Sequence, residues 1–521
     1  MPEKEEHKRE HWGSGIGFIL AATGSAIGLG NIWKFPYIAG ENGGGAFVLV
    51  YLVCICIVGI PVMLCEMALG RHTQRNPIGA FRAISPKRSL LAHLIGLGMV
   101  LTGIGLLCFH NYGIGTLMLI LGAAVFRFSW TVVGFAGVFT GFIILSYYSV
   151  VAGWIIGYFF KALNGTLNFP DVAAAGTEFD RSTGSIGWGI GFHLMFMASC
   201  ALVVWSGVRS GIERWSKILM PVLFLLLYAI ILRSMTLPGA IKGISFLLSP
   251  DFSKLSAHGV LLALGHAFFT LSLGMGAMTT YGSYVPKREN LFVSCLMIVG
   301  LDTLAALLAG LAIFPAVFAL NMAPNEGPGL IFKILPVVMN QIPLGGLWMA
   351  MFFLLIFIAA LTSGISLLEV VVAAMIDELK MPRHLAVVLS STVIAVLGCL
   401  CAVSVDNWDM LPHLHAVLVK TFGVAQGSFF AFMDNISSNW LLPLGGLMTS
   451  LFVGWIWGTR AAVDEIRHGA HNFADVHLLT LLSGLRQDPN HNNPEYHVFT
   501  LAATWGIFIR FISPVAIAIA F

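Results

Sequence analysis

Charge is scarce in this chain: Lys, Arg, Asp and Glu supply only 10% of its 521 residues, against about a quarter in soluble domains. That excludes an ordinary solvated surface for a chain that is 57% hydrophobic with a mean hydropathy of +0.86. The formal net charge is only +3 and no basic run stands out beyond the loops, which excludes nucleic acid as a partner. The eight cysteines all lie inside apolar stretches, with no CxxC pair and no metal-ligand cluster, so neither a disulfide framework nor a zinc site is expected. GxSxG, HExxH and usefully spaced carboxylate pairs are also missing, which argues against a membrane-embedded enzyme. The first 12 residues are charged with both signs, and the apolar stretch behind them lacks a small-residue cleavage site. This start reads as an anchor and not as a removable signal peptide.

What the chain has in abundance is uninterrupted apolar sequence. A helix needs roughly 20 such residues to cross the hydrocarbon core. Eleven stretches qualify, near 14–34, 45–69, 131–163, 186–206, 216–234, 259–284, 291–319, 345–376, 384–403, 428–457 and 502–521. Barrel strands of about ten alternating residues would not give such runs, so the fold class is all-α and polytopic, surrounded by membrane lipid. With a cytoplasmic amino terminus, the inner segments hold 18 Lys and Arg and the outer segments 6. This bias obeys the positive-inside rule and sets the expected orientation in a cell membrane.

Residues 89–128 form a further apolar block. One extra crossing would invert every later loop and destroy the charge bias, whereas a hairpin preserves it. The block has basic ends at Lys87, Arg88 and Arg127 and a polar, turn-prone middle at His110 to Gly113. Two short helices turning at the outer face are expected, with an interfacial or re-entrant segment as the alternative.

Two spans carry a Gly-x-Gly in mid-membrane: Gly28-Leu29-Gly30 in the first and Gly274-Met275-Gly276 in the sixth. Each glycine costs about 1 kcal/mol against alanine inside a helix, and opened backbone is tolerated in a bilayer only where it lines a cavity or is buried in protein. Breaks at corresponding positions five spans apart point to an inverted repeat with a midplane site; close helix packing is the alternative use of such glycines. No strand precedes them and the third glycine is missing, so they are not a dinucleotide fingerprint. An opened helix offers amide donors on one side for a carboxylate and carbonyls on the other for Na⁺ or an ammonium.

The stretches REHWGSGIGFILAATGSAIGLGNIWKFPYIAGENGGGAF, GIPVMLCEMALGR, SYYSVVAGW, FFTLSLGMGAMTTYGSYV and AALTSGISLLE closely resemble the neurotransmitter:sodium symporter family, specifically its bacterial amino-acid transporters with the LeuT fold. The resemblance runs from residue 9 to the carboxyl terminus, with 89–128 as the main exception. It implies a single transporter domain over 1–521: a first repeat at 13–237 that includes the inserted hairpin 89–128, a second at 258–458, a cytoplasmic loop at 459–500 and a final helix at 501–521. It also implies a Na⁺-coupled amino-acid symporter that is not an enzyme. The alternatives are a carrier of another small solute, or a non-transporting amino-acid sensor.

By the same resemblance, one Na⁺ site uses Ala26, Asn31, Thr270 and Asp302 with the substrate carboxylate. A second uses Gly24, Ile27, Ala359, Thr362 and Ser363. Without the resemblance, the hydroxyls of Thr362 and Ser363 would be expected to bond back to the preceding turn. The substrate site is implied at Ala26, Gly28, Gly30, Ile144, Tyr148, Phe269, Thr270, Ser272, Met275, Ser363 and Leu367, with Tyr148 reaching the carboxylate. Gly28 stands where the family's monoamine carriers place an aspartate, so an apolar or aromatic amino acid is expected over a monoamine.

Lys34, Glu66, His266, Asp302, Glu369 and Asp434 sit in or beside spans, where a central charge costs at least about 2.5 to 3.5 kcal/mol and requires a partner or an aqueous cavity. The resemblance implies an outer gate of Lys34 and Asp434 with Tyr148, Phe269 and His266; the alternative for the charged pair is an ordinary interfacial ion pair. It gives Glu66 a structural role, holding opened backbone of the sixth span. Asp302 replaces an asparagine of the leucine carrier and supplies negative charge that relatives take from bound chloride, so Cl⁻ is not expected to be required. His266 replaces a glutamine; a hydrogen-bonded structural histidine is expected, with a proton-linked step as the alternative.

Overall fold

The computed structural model describes residues 9–85, 90–108, 115, 118–123, 125, 130–319, 330–405, 428–471, 473–478 and 499–519. Among these, all eleven apolar stretches are helical, and β structure is limited to two isolated bridges, Gly44 with Pro250 and His477 with Thr500. Among the described residues nine continuous helices are long and apolar enough to cross a membrane. In chain order they are the second span (Gly45–Thr73), third (Thr131–Leu163), fourth (Ile186–Trp205), fifth (Val208–Met235), seventh (Leu291–Ala319), eighth (Gly345–Leu379), ninth (Arg383–Ser404), tenth (Phe429–Arg467) and eleventh (Leu501–Ile519).

The first and sixth spans are broken. The first consists of Gly15–Ala26 and Gly30–Glu41, bent by 47°. The sixth consists of Ala257–Thr270 and Ala277–Gly282. Local chemistry explains both. Ser14 caps the first span by accepting from the Gly17 amide at 3.1 Å, and Ser256 caps the sixth by accepting from Gly259 at 3.0 Å. Ile27 then leaves the helical region at φ −70°, ψ 100°. In the sixth span Gly274 and Gly276 take φ of 78° and 76°, left-handed values that only glycine adopts at little cost and that no right-handed helix can continue through.

Burial shows which helices form the centre. In the eighth and third spans 83% and 78% of the most apolar window is buried, against 33% in the fourth and fifth. The third and eighth spans pack along one another, and the first half-helix contacts the eighth. The fourth and fifth turn side chains such as Leu202 and Leu225 outward, as lipid-facing helices do.

The 89–128 block supplies Leu90–Cys108 and helical residues between 115 and 125. A β-carbon at Gly103 would lie 2.8 Å from the Gly115 carbonyl oxygen, and one at Gly122 would lie 2.7 Å from that of Gly96. These pairings make the two segments antiparallel and packed backbone to backbone, as small residues permit. The expected turn at 110–113 and the basic ends at 87, 88 and 127 fall outside the described residues.

Candidate substrate and sodium sites

The opened end of the first half-helix leaves carbonyls without intrahelical partners. Those of Gly24, Ser25 and Ile27 converge on Ser363 Oγ at 3.3, 3.1 and 3.3 Å. A serine hydroxyl carries one proton, and the Ser25 carbonyl also accepts from Ser272 Oγ, so three buried acceptors face two hydroxyl protons. That surplus of oxygen lone pairs fits an alkali cation. Thr362 Oγ1 donates back to its own helix, 3.2 Å from the Ile358 carbonyl and 3.1 Å from that of Ala359. Gly24 packs against it, since a β-carbon there would come 3.0 Å from Thr362 Cβ. Gly24, Ile27, Ala359, Thr362 and Ser363 are thus gathered between the first and eighth spans.

A second cluster lies across the break. Asp302 is fully buried. Asn31 Nδ2 donates to its Oδ1 at 2.8 Å and to its backbone oxygen at 3.0 Å, and Thr270 Oγ1 stands 3.1 Å from both carboxylate oxygens. Asn31 Oδ1 accepts from the Gly28 amide at 3.2 Å, and Ala26 ends the half-helix. Among the described residues no Lys or Arg pairs with Asp302. A buried carboxylate without a counter-charge is costly, and these hard oxygens fit Na⁺.

Between the clusters lies a bare patch of backbone. The Leu29 amide donates to Tyr148 Oη at 3.3 Å. A β-carbon at Gly28 would sit 3.0 Å from that hydroxyl and 3.3 Å from Ser363 Cβ, and one at Gly30 would sit 3.1 Å from the Phe269 ring. Ile144, Met275 and Leu367 are buried apolar residues, and Gly141 touches both the Met275 carbonyl and Leu367 through a would-be β-carbon at 3.6 and 3.8 Å. Ser272 Oγ donates to the Ser25 carbonyl at 2.8 Å.

Above this patch opens a cavity of about 360 Å³, lined by Leu29, Lys34, Tyr148, Phe269 and Asp434 among others. Lys34 Nζ stands 4.8 Å from the centre of the Phe269 ring, and Asp434 Oδ1 accepts from Ser438 Oγ at 2.8 Å. Among the described residues Lys34 and Asp434 form no ion pair.

His266 departs from expectation. It does not line the cavity but is buried between the rings of Phe35 and Tyr51, at 5.8 and 5.4 Å between centroids. Neither ring nitrogen meets a hydrogen-bond partner among the described residues, so ring packing, in place of the expected hydrogen bond, positions it. Glu66 Oε1 accepts from the Gly274 amide at 2.7 Å, at the break in the sixth span. Glu369 is matched by Arg383 at 2.5 Å and by the Tyr284 hydroxyl at 2.7 Å.

Sequence reasoning missed two groups. Arg9 pairs with Asp377 at 2.5 Å and donates to Ser283 Oγ, closing the end of the bundle opposite the cavity. Ser25 Oγ donates to Ser366 Oγ at 2.7 Å, which, with Ser272, ties the first, sixth and eighth spans together. A cation–acid pair flanking the membrane segments at 9 and 377 was a usable signal; the serines carried none.

The sequence model of the sodium:neurotransmitter symporter family matches residues 9–106 and 173–478. The chain belongs to this family. It is 37% identical to the uncharacterized sodium-dependent transporter YhdH of Bacillus subtilis, over 99% of this chain and 98% of that protein. It is 34% identical to an uncharacterized sodium-dependent transporter of Haemophilus influenzae, over 86% and 90% of the two chains. The sodium- and chloride-dependent GABA transporter 2 of Homo sapiens is 28% identical over 89% of this chain and 76% of its own. The crystal structure of MhsT in complex with L-phenylalanine superposes with a TM-score of 0.77 at 38% identity, covering 98% of this chain and 99% of that one. As a sodium:neurotransmitter symporter the protein is a multi-span, sodium-dependent transporter with the LeuT fold, and not an enzyme.

Proposed function

We propose that this symporter imports an apolar or aromatic amino acid together with Na⁺ and does so without chloride. The observation that carries this reading is the bare Gly28 backbone facing the Tyr148 hydroxyl, flanked on both sides by the oxygen clusters. A substrate carboxylate that replaces the direct Leu29–Tyr148 bond would accept from both the hydroxyl and the opened backbone, and there would also complete the coordination of Na⁺ at Ala26, Asn31, Thr270 and Asp302. The side chain then points to Ile144, Phe269, Met275 and Leu367, an apolar wall. The bound L-phenylalanine of MhsT supports an aromatic substrate here.

Asp302 supplies, inside the protein, the negative charge that balances the first Na⁺, which leaves chloride without a task. The second Na⁺, at Gly24, Ile27, Ala359, Thr362 and Ser363, bridges the first and eighth spans and holds them in one relation until it leaves. The charge bias of the loops supports a cytoplasmic Arg9 and an outward-facing cavity. Substrate and Na⁺ enter from the cavity; Lys34, Asp434, Tyr148 and Phe269 then close over them, and release to the cytoplasm requires the Arg9–Asp377 pair to part. Ligands drive this exchange only through different affinities for the two states.

The test is scintillation-proximity binding of a panel of labelled amino acids to the purified protein, with K⁺ replacing Na⁺ as control. Na⁺-dependent binding of Phe, Trp, Leu or Ile is expected. A folded sample that binds no amino acid in Na⁺ would overturn the reading.

A further inference from the structure

The eleventh span carries an arginine deep in apolar sequence. Arg510 follows the start of that span at Leu501 by nine residues, which at 1.5 Å per residue is about 14 Å of helix. Its Nε donates to the Gly454 carbonyl at 3.1 Å, and its guanidinium lies 4.8 Å from the centre of the Trp455 ring. Neither contact neutralises the charge. Among the described residues no carboxylate pairs with Arg510, so one carbonyl, one ring and a cavity are all that surround a charge that is costly at this depth.

The side chain opens into a cavity of about 410 Å³ between the eleventh span and Thr459–Arg467, the last segment of the tenth, where Arg460, Arg467 and Asp464 also line the wall. Arg467 has an acid, Asp475, at 4.0 Å, whereas Arg460 has none among the described residues. The cavity lies at the end of the bundle that holds Arg9, because Arg71 donates both to the Glu465 carboxylate at 2.7 Å and to the Glu289 carbonyl at 2.7 Å, beside the Arg9 contacts at Ser283 and Tyr284. From its rim an exposed apolar ridge runs along the eleventh span through Ile507, Phe511, Val515 and Ile519, each 46% to 72% exposed. Their spacing of four puts them on one helix face.

We infer that this cavity holds the headgroup of an anionic phospholipid, with its phosphodiester between Arg510 and Arg460 and its acyl chains along the Ile507–Ile519 ridge. Basic pockets of this kind, beside a membrane helix, suit acidic lipid headgroups. The phosphate supplies the counter-charge that no described carboxylate gives Arg510. The ridge selects a lipid over free phosphate, since an inorganic anion has no use for four aligned apolar side chains.

Native mass spectrometry of the full-length protein in detergent tests this with three probes: phosphatidylglycerol, phosphatidylcholine of matched chains, and inorganic phosphate. Wild type is expected to retain phosphatidylglycerol in preference to phosphatidylcholine and not to retain phosphate. Arg510→Gln and, separately, Arg460→Gln should each cut that preference by about fivefold, the scale expected for one basic group at an anionic surface. Arg460→Gln, at an exposed helix start, keeps the test decisive should Arg510→Gln not fold. Equal retention of the two lipids, an unchanged preference in a folded variant, or retention of phosphate as strong as that of phosphatidylglycerol would overturn the inference. Lipid retention needs neither substrate nor Na⁺, so its result is independent of the proposed transport cycle.

Discussion

Arg9 Nη1 stands 2.5 Å from Asp377 Oδ2, whereas Lys34 and Asp434, at the other end of the first and tenth spans, line one cavity without pairing. The bundle is latched at one end and open at the other. Arg9 adds hydrogen bonds to Ser283 Oγ and lies 4.9 Å from the centre of the Tyr284 ring, so the latch joins the chain before the first span to both the sixth and the eighth.

Removing the latch should therefore favour the opposite state. Hydrogen bonds to charged groups contribute about 1.5 to 3 kcal/mol each where little exposed, and the pair is mostly buried. Arg9→Gln is expected to raise amide hydrogen exchange across residues 12–24, in Na⁺, by about 10- to 100-fold. Exchange equal to wild type would mean that Trp12, buried with its indole donating to the Tyr281 carbonyl at 3.0 Å, closes this end unaided.

Gly28 should set which end of the substrate is read. A β-carbon there would crowd Tyr148 Oη at 3.0 Å and Ser363, and overpacking costs about 1 to 3 kcal/mol. Gly28→Ala is expected to weaken Na⁺-dependent amino-acid binding by about 5- to 150-fold and, because the crowding is present without ligand, to lower the melting temperature in K⁺ as well. In wild type, phenethylamine should compete far less well than phenylalanine. Stronger competition by the amine would show that the carboxylate is not what this patch recognises.

The fold was largely legible because the membrane enforces it: long apolar runs, charge bias and two glycine pairs are local signals. Asp302 stood out as a charge in an apolar run, whereas Asn31 and Thr270 came from the resemblance to the family. Arg9 and Asp377 escaped notice because 368 residues separate them and neither lies within a local periodic pattern. His266 misled for the opposite reason. The resemblance to the family implied the gate, but which face of a half-helix points at the cavity depends on packing against Phe35 and Tyr51, and no sequence period encodes that.

Thr362 separates a structural hydroxyl from an ion ligand. It bonds back to Ile358 and Ala359, a geometry that by itself needs no cation. Thr362→Val keeps the shape and removes only the hydroxyl. If the oxygen also serves Na⁺, half-saturation should move to about tenfold higher Na⁺, with the change being near 1.4 kcal/mol, while the melting temperature in K⁺ stays put. A shift below about twofold would leave Thr362 as a back-bonded side chain and reduce the second site to carbonyls and Ser363.

Asp302 carries the chloride question. Its carboxylate is buried, held by Asn31 and Thr270, and pairs with no Lys or Arg among the described residues, so its charge is available to a cation. Replacing chloride by gluconate should therefore leave Na⁺-dependent uptake unchanged. Asp302→Asn preserves the shape and two hydrogen-bonding atoms but removes the charge; stripping one partner from a buried ion pair costs about 3 to 5 kcal/mol, so Na⁺-dependent binding should fall by at least about 100-fold. The two measurements bear on one balance of charge. A steep fall of wild-type uptake in gluconate would mean that a second anion is needed despite Asp302, and full Na⁺ affinity in Asp302→Asn would mean that the carboxylate never faces the ion.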